Sequence, residues 1–224
     1  DDESPSIDCS GINTVFTADP GMCGFTVTGI GQDPEFEDNC NASISHNYSF
    51  APNTNTLAGA LFPVGITTVI WTVTDGNGAS VSCTITIEVT DDENPFFVNC
   101  PTEMLMVGND PNQCSAKVNW SIPVATDNCD IESVVQTQGP PVGSDIPVCE
   151  LTTIEYTATD IYGNTATCTF DVLVIDTEAP QLDLDVVLPG DITVECDAVP
   201  EPFVLTTADV NDNCTDSENL VIVF

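Results

Sequence analysis

Short segments in which apolar side chains alternate with threonine, serine or glutamate recur along the whole chain. Residues 24–29, 67–74 and 80–89 are three of them. A period of two is typical of a β-strand that buries one face and exposes the other. No sequence stretch of comparable length has the 3.6-residue period of an amphipathic helix. The pattern therefore predicts an all-β protein.

Residues that tolerate or impose turn dihedrals separate these segments. Four such turns are Asp19-Pro20-Gly21, Asp110-Pro111-Asn112, Asp75-Gly76-Asn77-Gly78 and Tyr162-Gly163-Asn164. Between the turns, about seven short strands fit into a domain of about 90 residues, as in immunoglobulin-like domains. The sequence therefore predicts immunoglobulin-like β-sandwiches.

The strand pattern is itself repeated. The segment at 71–95 returns at 156–180, and the triplet Asp38-Asn39-Cys40 returns as Asp127-Asn128-Cys129 and again as Asp212-Asn213-Cys214. Copies lie 85 to 91 residues apart, a spacing that suits small β-domains better than solenoid repeats. We predict tandem β-sandwich modules in an elongated array: module one at 1–90, module two at 91–176 and an incomplete third module at 177–224.

The two ends of the chain leave two interpretations open. The third module stops after its first half, and the chain begins with a copy of the junction at 91–95. One interpretation is that the chain is an excerpt from a longer array. The other is a complete filament subunit whose third module receives a strand from its neighbour, as in donor-strand complementation.

The charge of the chain excludes two classes of partner. There are 36 acidic residues and one basic residue, Lys117, for a formal net charge of −35. Nucleic acid and anionic membrane surfaces would be repelled, and the apolar runs are too short for direct membrane insertion. Because 42% of the residues are apolar and alternate regularly, we expect folded modules despite the charge.

The cysteine content predicts the compartment. Eleven cysteines in small modules indicate an oxidising environment, so we expect an extracellular or periplasmic protein, and of these we favour the extracellular cell surface. Four cysteines per module allow three pairings, and their spacing alone does not choose among them. Cys149 has no counterpart in module one, where Gly65 stands, so it is either a reduced thiol or a bond to another chain.

These motifs resemble those of a known family. Module two contains Val98-Asn99-Cys100-Pro101, Asn109-Asp110-Pro111-Asn112-Gln113-Cys114, Ala125-Thr126-Asp127-Asn128-Cys129 and the segment at 156–168. This run is similar to that of the hyalin repeat, or HYR module, and module one is looser but colinear. The third stretch resembles repeats found beside HYR modules in bacterial surface adhesins. The resemblance implies an extracellular structural or adhesive role and no enzymatic activity.

The resemblance also implies a disulfide pairing. Family members with two cysteines keep the first and the last, which implies bonds between Cys9 and Cys83 and between Cys100 and Cys168. The cysteines that remain would then pair as Cys23 with Cys40 and Cys114 with Cys129. Cys196 and Cys214 are expected to pair locally.

Acidic residues from three separate elements are expected to meet at the start of each module. These elements are the linker, the Asp-Asn-Cys triplet and the turn after the penultimate strand, and carboxylates about 4 Å apart repel strongly. The chain lacks basic side chains to offset them, and a shell of hard oxygen ligands favours Ca²⁺. The predicted ligands are Asp1, Asp2, Glu3, Asp38 and Asp75; Asp91, Asp92, Glu93, Asp127 and Asp160; and Asp176, Glu178 and Asp212.

Two alternatives are weighed against this interpretation. Asp favours turns without any metal, so the junctions could be solvated hinges. A receptor domain that binds a surface glycan or a protein is the second, because residues 41–60, with His46, depart from the repeat. Trp71 aligns with Tyr156 in an alternating strand, which favours core packing over sugar stacking.

His46 is the only histidine and is expected in an exposed loop, and no nucleophile motif is present. We therefore favour a structural repeat of a surface adhesin or filament whose partners are neighbouring modules.

Overall fold

The computed structural model describes residues 3–183, 204–216, 219 and 221, and the chain divides into two compact units. The first comprises Asp1–Val98, Ala125–Val134 and Ala158–Ala166, and the second comprises Asn99–Val124, Val135–Thr157 and Thr167–Phe224. The described residues form β-strands, turns and one short 3-10 helix, η1 (Thr207–Asp209). The predicted tandem all-β sandwich fold is confirmed.

The first repeat folds into eight strands instead of about seven. They are β1 (Ser6–Asp8), β2 (Val15–Thr17), β3 (Gly24–Thr26), β4 (Glu35–Glu37), β5 (Ala42–His46), β6 (Leu61–Pro63), β7 (Gly65–Asp75) and β8 (Ser80–Thr90). The strand count rises because the N-terminal segment is divided: β1 pairs with β4, whereas β2 runs parallel to β8. The main sheet has the order β2-β8-β7-β5, and β3 pairs with β6.

The period-two pattern defines the core of the first unit. In β7, Val69, Trp71 and Val73 are fully buried, whereas Ile70 and Thr72 between them are exposed and half-buried, respectively. Val69 and Trp71 belong to a core cluster that includes Leu57 and Phe62. Trp71 is 0% exposed, which confirms its core role and leaves its ring unable to stack on a sugar.

His46 is not in an exposed loop, so that expectation was wrong. It is the last residue of β5 and is half-buried. Its ring meets the Trp71 ring edge-on with centroids 4.9 Å apart, and its Nε2 lies 3.1 Å from the Thr56 carbonyl oxygen. The imidazole is held in place by the core and its rim.

The second repeat forms a sheet of the same order. Its strands and those that follow are β9 (Phe96–Phe97), β10 (Leu105–Gly108), β11 (Ser115–Lys117), β12 (Ala125–Thr126), β13 (Ile131–Gln138), β14 (Asp145–Pro147), β15 (Leu151–Asp160), β16 (Thr165–Ile175), β17 (Gln181–Leu182) and β18 (Val210–Asn211). The sheet order is β10-β16-β15-β13, with β10 parallel to β16. Its core includes Val118, Ile146, Ile154 and Phe170.

The disulfides confirm one part of the expected pairing and correct another. Cys9 is bonded to Cys83 and Cys100 to Cys168, as the family resemblance implied. Cys23 is bonded to Cys129 instead of Cys40, with the two Cα atoms 4.7 Å apart.

This correction has a physical reason. The triplet at 127–129 contacts the turn that ends at Cys23, so the cysteine beside Cys23 is Cys129 of the next repeat. The pairing of Cys114 with Cys129 is therefore also wrong. Among the described residues, Cys40, Cys114, Cys149 and Cys214 have free thiols. Cys196 lies outside the described residues, and its predicted local bond stays a prediction.

Cys149 occupies a left-handed backbone position. Its φ is 61°, and the aligned Gly65 has a φ of 114°. Such values favour glycine, so the backbone supports the alignment of the two residues. The Cys149 side chain is exposed.

Candidate metal site

Two carboxylates of the first unit meet where the second repeat begins. Asp91 directly follows β8 and Asp127 directly follows β12. The pairing of β9 with β12 brings linker and triplet together. One oxygen of each carboxylate and the sulfur of Cys129 lie within 4.8 Å of one another. Since Cys129 is in a disulfide, its sulfur is not a thiolate ligand, and the carboxylates remain as donors to a metal.

Several buried oxygens at this place accept no hydrogen bond. Among the described residues these are Oδ2 of Asp91, Oδ1 of Asp127 and Oδ1 of Asn128. Away from this place, in the triplet of the first repeat, Oδ1 of Asp38 is likewise buried and unpaired. Leaving a buried acceptor unpaired costs about 1 to 3 kcal/mol, and more when it is charged. Oxygen atoms of carboxylates and amides are ligands that Ca²⁺ prefers in proteins.

The pKa of Asp127 responds to its burial and to the neighbouring carboxylates. Burial raises the pKa of Asp127 above its ordinary value, and a hydrogen bond from the Cys129 N–H works against this rise. The negative charges of Asp91, Asp160 and Glu93 then raise the pKa further. A cation would relieve this repulsion because it stabilises the charged form of the carboxyl.

The aspartates that end the penultimate strands accept hydrogen bonds from the turns that follow them. Oδ1 of Asp160 accepts the N–H groups of Tyr162 and Asn164, and its Oδ2 accepts Asn164 Nδ2 at 2.7 Å. Burial by itself would raise the pKa of Asp160, but these hydrogen bonds lower it overall. Asp75 likewise accepts the N–H groups of Asn77 and Ala79.

The remaining predicted ligands differ in exposure and in their hydrogen bonds. Asp92 is exposed, and Glu93 Oε2 accepts the Gly21 N–H at 2.9 Å. Glu3 accepts a hydrogen bond from Asn39 Nδ2 at 3.0 Å. Asp1 and Asp2 lie outside the described residues, so their part in a site stays a prediction.

The turn at 19–23 is a functional element that the sequence reasoning missed. The Gly21 N–H, presented at φ 71°, binds Glu93, and the Met22 carbonyl accepts Asn128 Nδ2 at 3.1 Å. Cys23 then bonds Cys129. The sequence signal for it is the motif Asp-Pro-x-x-Cys, which occurs once in each full repeat.

A second cluster of the same kind lies in the second unit. Glu178 Oε2 accepts the Asn112 N–H at 2.8 Å and Asn109 Nδ2 at 3.1 Å. Asp176 Oδ1 accepts the Glu178 N–H, and Asp212 Oδ1 accepts the N–H of Cys214 at 2.9 Å. The Gln113 carbonyl accepts Asn213 Nδ2 at 3.1 Å, so the turn at 110–113, the linker and the triplet meet here.

An apolar pocket of about 310 Å³ lies beside Cys23 in the first unit. Tyr48, Phe50, Leu61 and Pro63 line it, and Phe50 is 74% exposed. Tyr48 is fixed there, since its ring stacks on Phe62 and its hydroxyl donates to the Leu61 carbonyl. Part of the segment at 41–60 that departs from the repeat thus forms a concave aromatic surface.

Comparisons with known proteins agree with the repeat structure. The family model of the HYR domain matches residues 1–89 and again 90–174. "Sushi, von Willebrand factor type A, EGF and pentraxin domain-containing protein 1" of Mus musculus is 34% identical over 116 residues, which is 51% of this chain and 3% of that protein. Hyalin of Strongylocentrotus purpuratus is 34% identical over 126 residues, or 54% of this chain and 10% of hyalin.

The solved structures include one of Drosophila N-cadherin EC1-3. It covers 75% of this chain and 64% of the cadherin chain, with a TM-score of 0.42 and 16% sequence identity. In the described part of the chain, no helix is long and apolar enough to cross a membrane.

Proposed function

The chain belongs to the HYR domain family, and from that premise we propose that it is a structural repeat segment of a long extracellular adhesin or surface filament. Three features support this role. The buried faces of the strands and the disulfides stabilise each domain, and the high negative charge makes its surface repulsive. We place the protein outside the cell, at the cell surface, and assign it no enzymatic activity. Its principal partners are then neighbouring modules of the same kind.

We further propose that Ca²⁺ binds where the linker meets the triplet. The observation that carries this proposal is the group of buried, unpaired oxygens on Asp91, Asp127 and Asn128. Glu93, which contributes to the charge around Asp127, adds a further carboxylate to the set. Bound calcium would replace the repulsion by attraction and make the linker rigid, so an array of such joints would resist bending and proteolysis.

Titration of the metal-depleted chain by calorimetry tests this site. We expect Ca²⁺ to bind more tightly than Mg²⁺, with a Kd of about 0.1 to 1 mM, as in other extracellular calcium modules. The double substitution Asp91→Asn and Asp127→Asn is expected to remove the binding heat assigned to this joint. The matched control is Glu88→Gln, which neutralises an exposed carboxylate of β8. Equal heats from the double variant and the control would contradict the proposal.

The raised pKa of Asp127 predicts a particular pH dependence. Without metal, the folded state holds this proton more tightly than the unfolded state, so this contribution to stability falls as pH rises through the interval from the ordinary Asp pKa to the raised one. With Ca²⁺, the proton competes for the same oxygen, so affinity decreases as pH falls into that interval. Calorimetry at about pH 7.5 and at about pH 4, near the ordinary Asp pKa, should show this decrease, and Asp127→Asn should weaken the dependence.

A receptor-binding role stays the alternative prediction. The aromatic pocket beside Phe50 is the feature that supports it, since an exposed aromatic face can stack on a glycan or contact a protein. Donor-strand complementation also stays a prediction.

A further inference from the structure

The two acidic clusters share one pattern of hydrogen bonds. In the first unit, the Gly21 N–H binds Glu93 and the Met22 carbonyl accepts Asn128 Nδ2 at 3.1 Å. In the second unit, the Asn112 N–H binds Glu178 and the Gln113 carbonyl accepts a side-chain N–H at the same distance of 3.1 Å, from Asn213 Nδ2. The turn, the linker and the triplet therefore meet in the same way in both units.

The backbone of the two turns also matches. Gly21 has a φ of 71° and Asn112 a φ of 57°, both in the left-handed region. Asn is the non-glycine residue that tolerates this region best. In both turns the third N–H after the aspartate closes onto its carbonyl, from Met22 to Asp19 and from Gln113 to Asp110. The cysteine that follows each turn thus leaves it in the same direction.

The two clusters differ in the state of their cysteines. In the first unit, Cys23 and Cys129 are bonded. In the second unit the corresponding residues, Cys114 and Cys214, are free thiols, and each contacts the backbone carbonyl of the residue that precedes the other cysteine. The Cys114 thiol contacts the Asn213 carbonyl, and Cys214 Sγ lies 3.6 Å from the Gln113 carbonyl oxygen.

We propose that Cys114 and Cys214 form a disulfide equivalent to Cys23–Cys129, so that each turn cysteine bonds the triplet cysteine of the following repeat. The joint is then a covalent unit in which one bond closes each sandwich and a second bond ties it to the next. This inference rests on the geometry of the two clusters and does not depend on calcium.

The oxidation needs an acceptor for two electrons, which a disulfide of a small thiol or of a thiol oxidoreductase supplies. One thiolate attacks the oxidant and releases one thiol from it, giving a mixed disulfide. The second thiolate of the pair then attacks the protein sulfur of this mixed disulfide, and the second thiol of the oxidant leaves. Two thiol protons and two electrons pass from Cys114 and Cys214 to the oxidant, which becomes two thiols.

Non-reducing peptide mapping of the full chain, exported into an oxidising compartment, tests the bond. Free thiols are blocked with N-ethylmaleimide under denaturing conditions, and the chain is digested with pepsin at acid pH, where thiol exchange is slow. We expect one linked peptide pair to contain Cys114 and Cys214 and another to contain Cys23 and Cys129. Maleimide is expected on Cys40 and Cys149.

Two outcomes would overturn the proposal: nearly complete maleimide labelling of Cys114 and Cys214, or a peptide that joins Cys214 to Cys196. The variant Cys114→Ser is expected to make Cys214 fully reactive while the Cys23 linkage persists. The matched variant Cys149→Ser should change neither linkage. The mapping of the unsubstituted chain decides the question even where a variant does not fold.

Discussion

Replacing Cys23 and Cys129 together with alanine is expected to lower the free energy of unfolding of the first unit by about 4 kcal/mol. The bond joins residues that are 106 positions apart in the sequence. In the chain-entropy model, a loop of about 100 residues gives about 4.7 kcal/mol, and measured values are commonly somewhat smaller. The loss should exceed that of most surface substitutions because the unfolded chain gains a large conformational freedom.

The measurement is urea unfolding under non-reducing conditions, followed by the fluorescence of the buried Trp71. Cys40→Ala provides the control, since this exposed cysteine holds the same position in its triplet as Cys129 but has a free thiol. A similar midpoint for the double variant and the control would show that the bond does not stabilise this unit. A lower midpoint confined to the double variant would support the joint as a stabilising element.

Replacing Asp160 with alanine is expected to cost about 3 kcal/mol of stability. Its side chain is 0% exposed, and it accepts three hydrogen bonds, from the Tyr162 N–H, the Asn164 N–H and Asn164 Nδ2. Hydrogen bonds to a charged acceptor each contribute about 1.5 to 3 kcal/mol, and the released desolvation cost of the carboxylate offsets part of their loss. The substitution leaves two backbone N–H groups without this acceptor.

The variant Asp160→Asn separates the parts of this effect. Asparagine keeps Oδ1 for the two backbone N–H groups but presents a donor toward Asn164 Nδ2, so we expect an intermediate loss, measured by thermal unfolding. Unfolding in calcium and in chelator then distinguishes a turn residue from a ligand. An equal loss in both media is the result expected from the hydrogen bonds, and a loss seen only in calcium would contradict this assignment.

Much of the fold could be predicted because strand periodicity is a local property. The alternation around Trp71 indicated a strand with one buried face, and that face forms the core of the first unit. The division of the first strand into β1 and β2 was not predicted, since it depends on which neighbours accept each half. The position of His46 was missed for the same reason: a single polar residue in a strand gives no sign of the ring against which it rests.

The metal-ligand set stays a prediction, and the structure shows which of its members lie together. Sequence placed Asp91 and Asp127 together, and the structure brings their oxygens within 4.8 Å. The structure gives Asp160 a full set of donors from its own turn, and it gives Asn128 a buried, unpaired oxygen. Whether a given oxygen already accepts a hydrogen bond depends on the atoms around it, and the residue type does not specify those atoms.

Sequence by itself predicted the repeats, their strand character and the acidic linkers, because repetition, period-two alternation and composition are properties of the chain read in order. The bonds of Cys9 with Cys83 and of Cys100 with Cys168 were implied by the resemblance to HYR modules, and the structure contains both. Tertiary structure alone decided that Cys23 bonds Cys129 and that the turn before it holds Glu93. A disulfide forms between thiols that are close in space, and the folding of two successive repeats, with four and five cysteines, sets that distance.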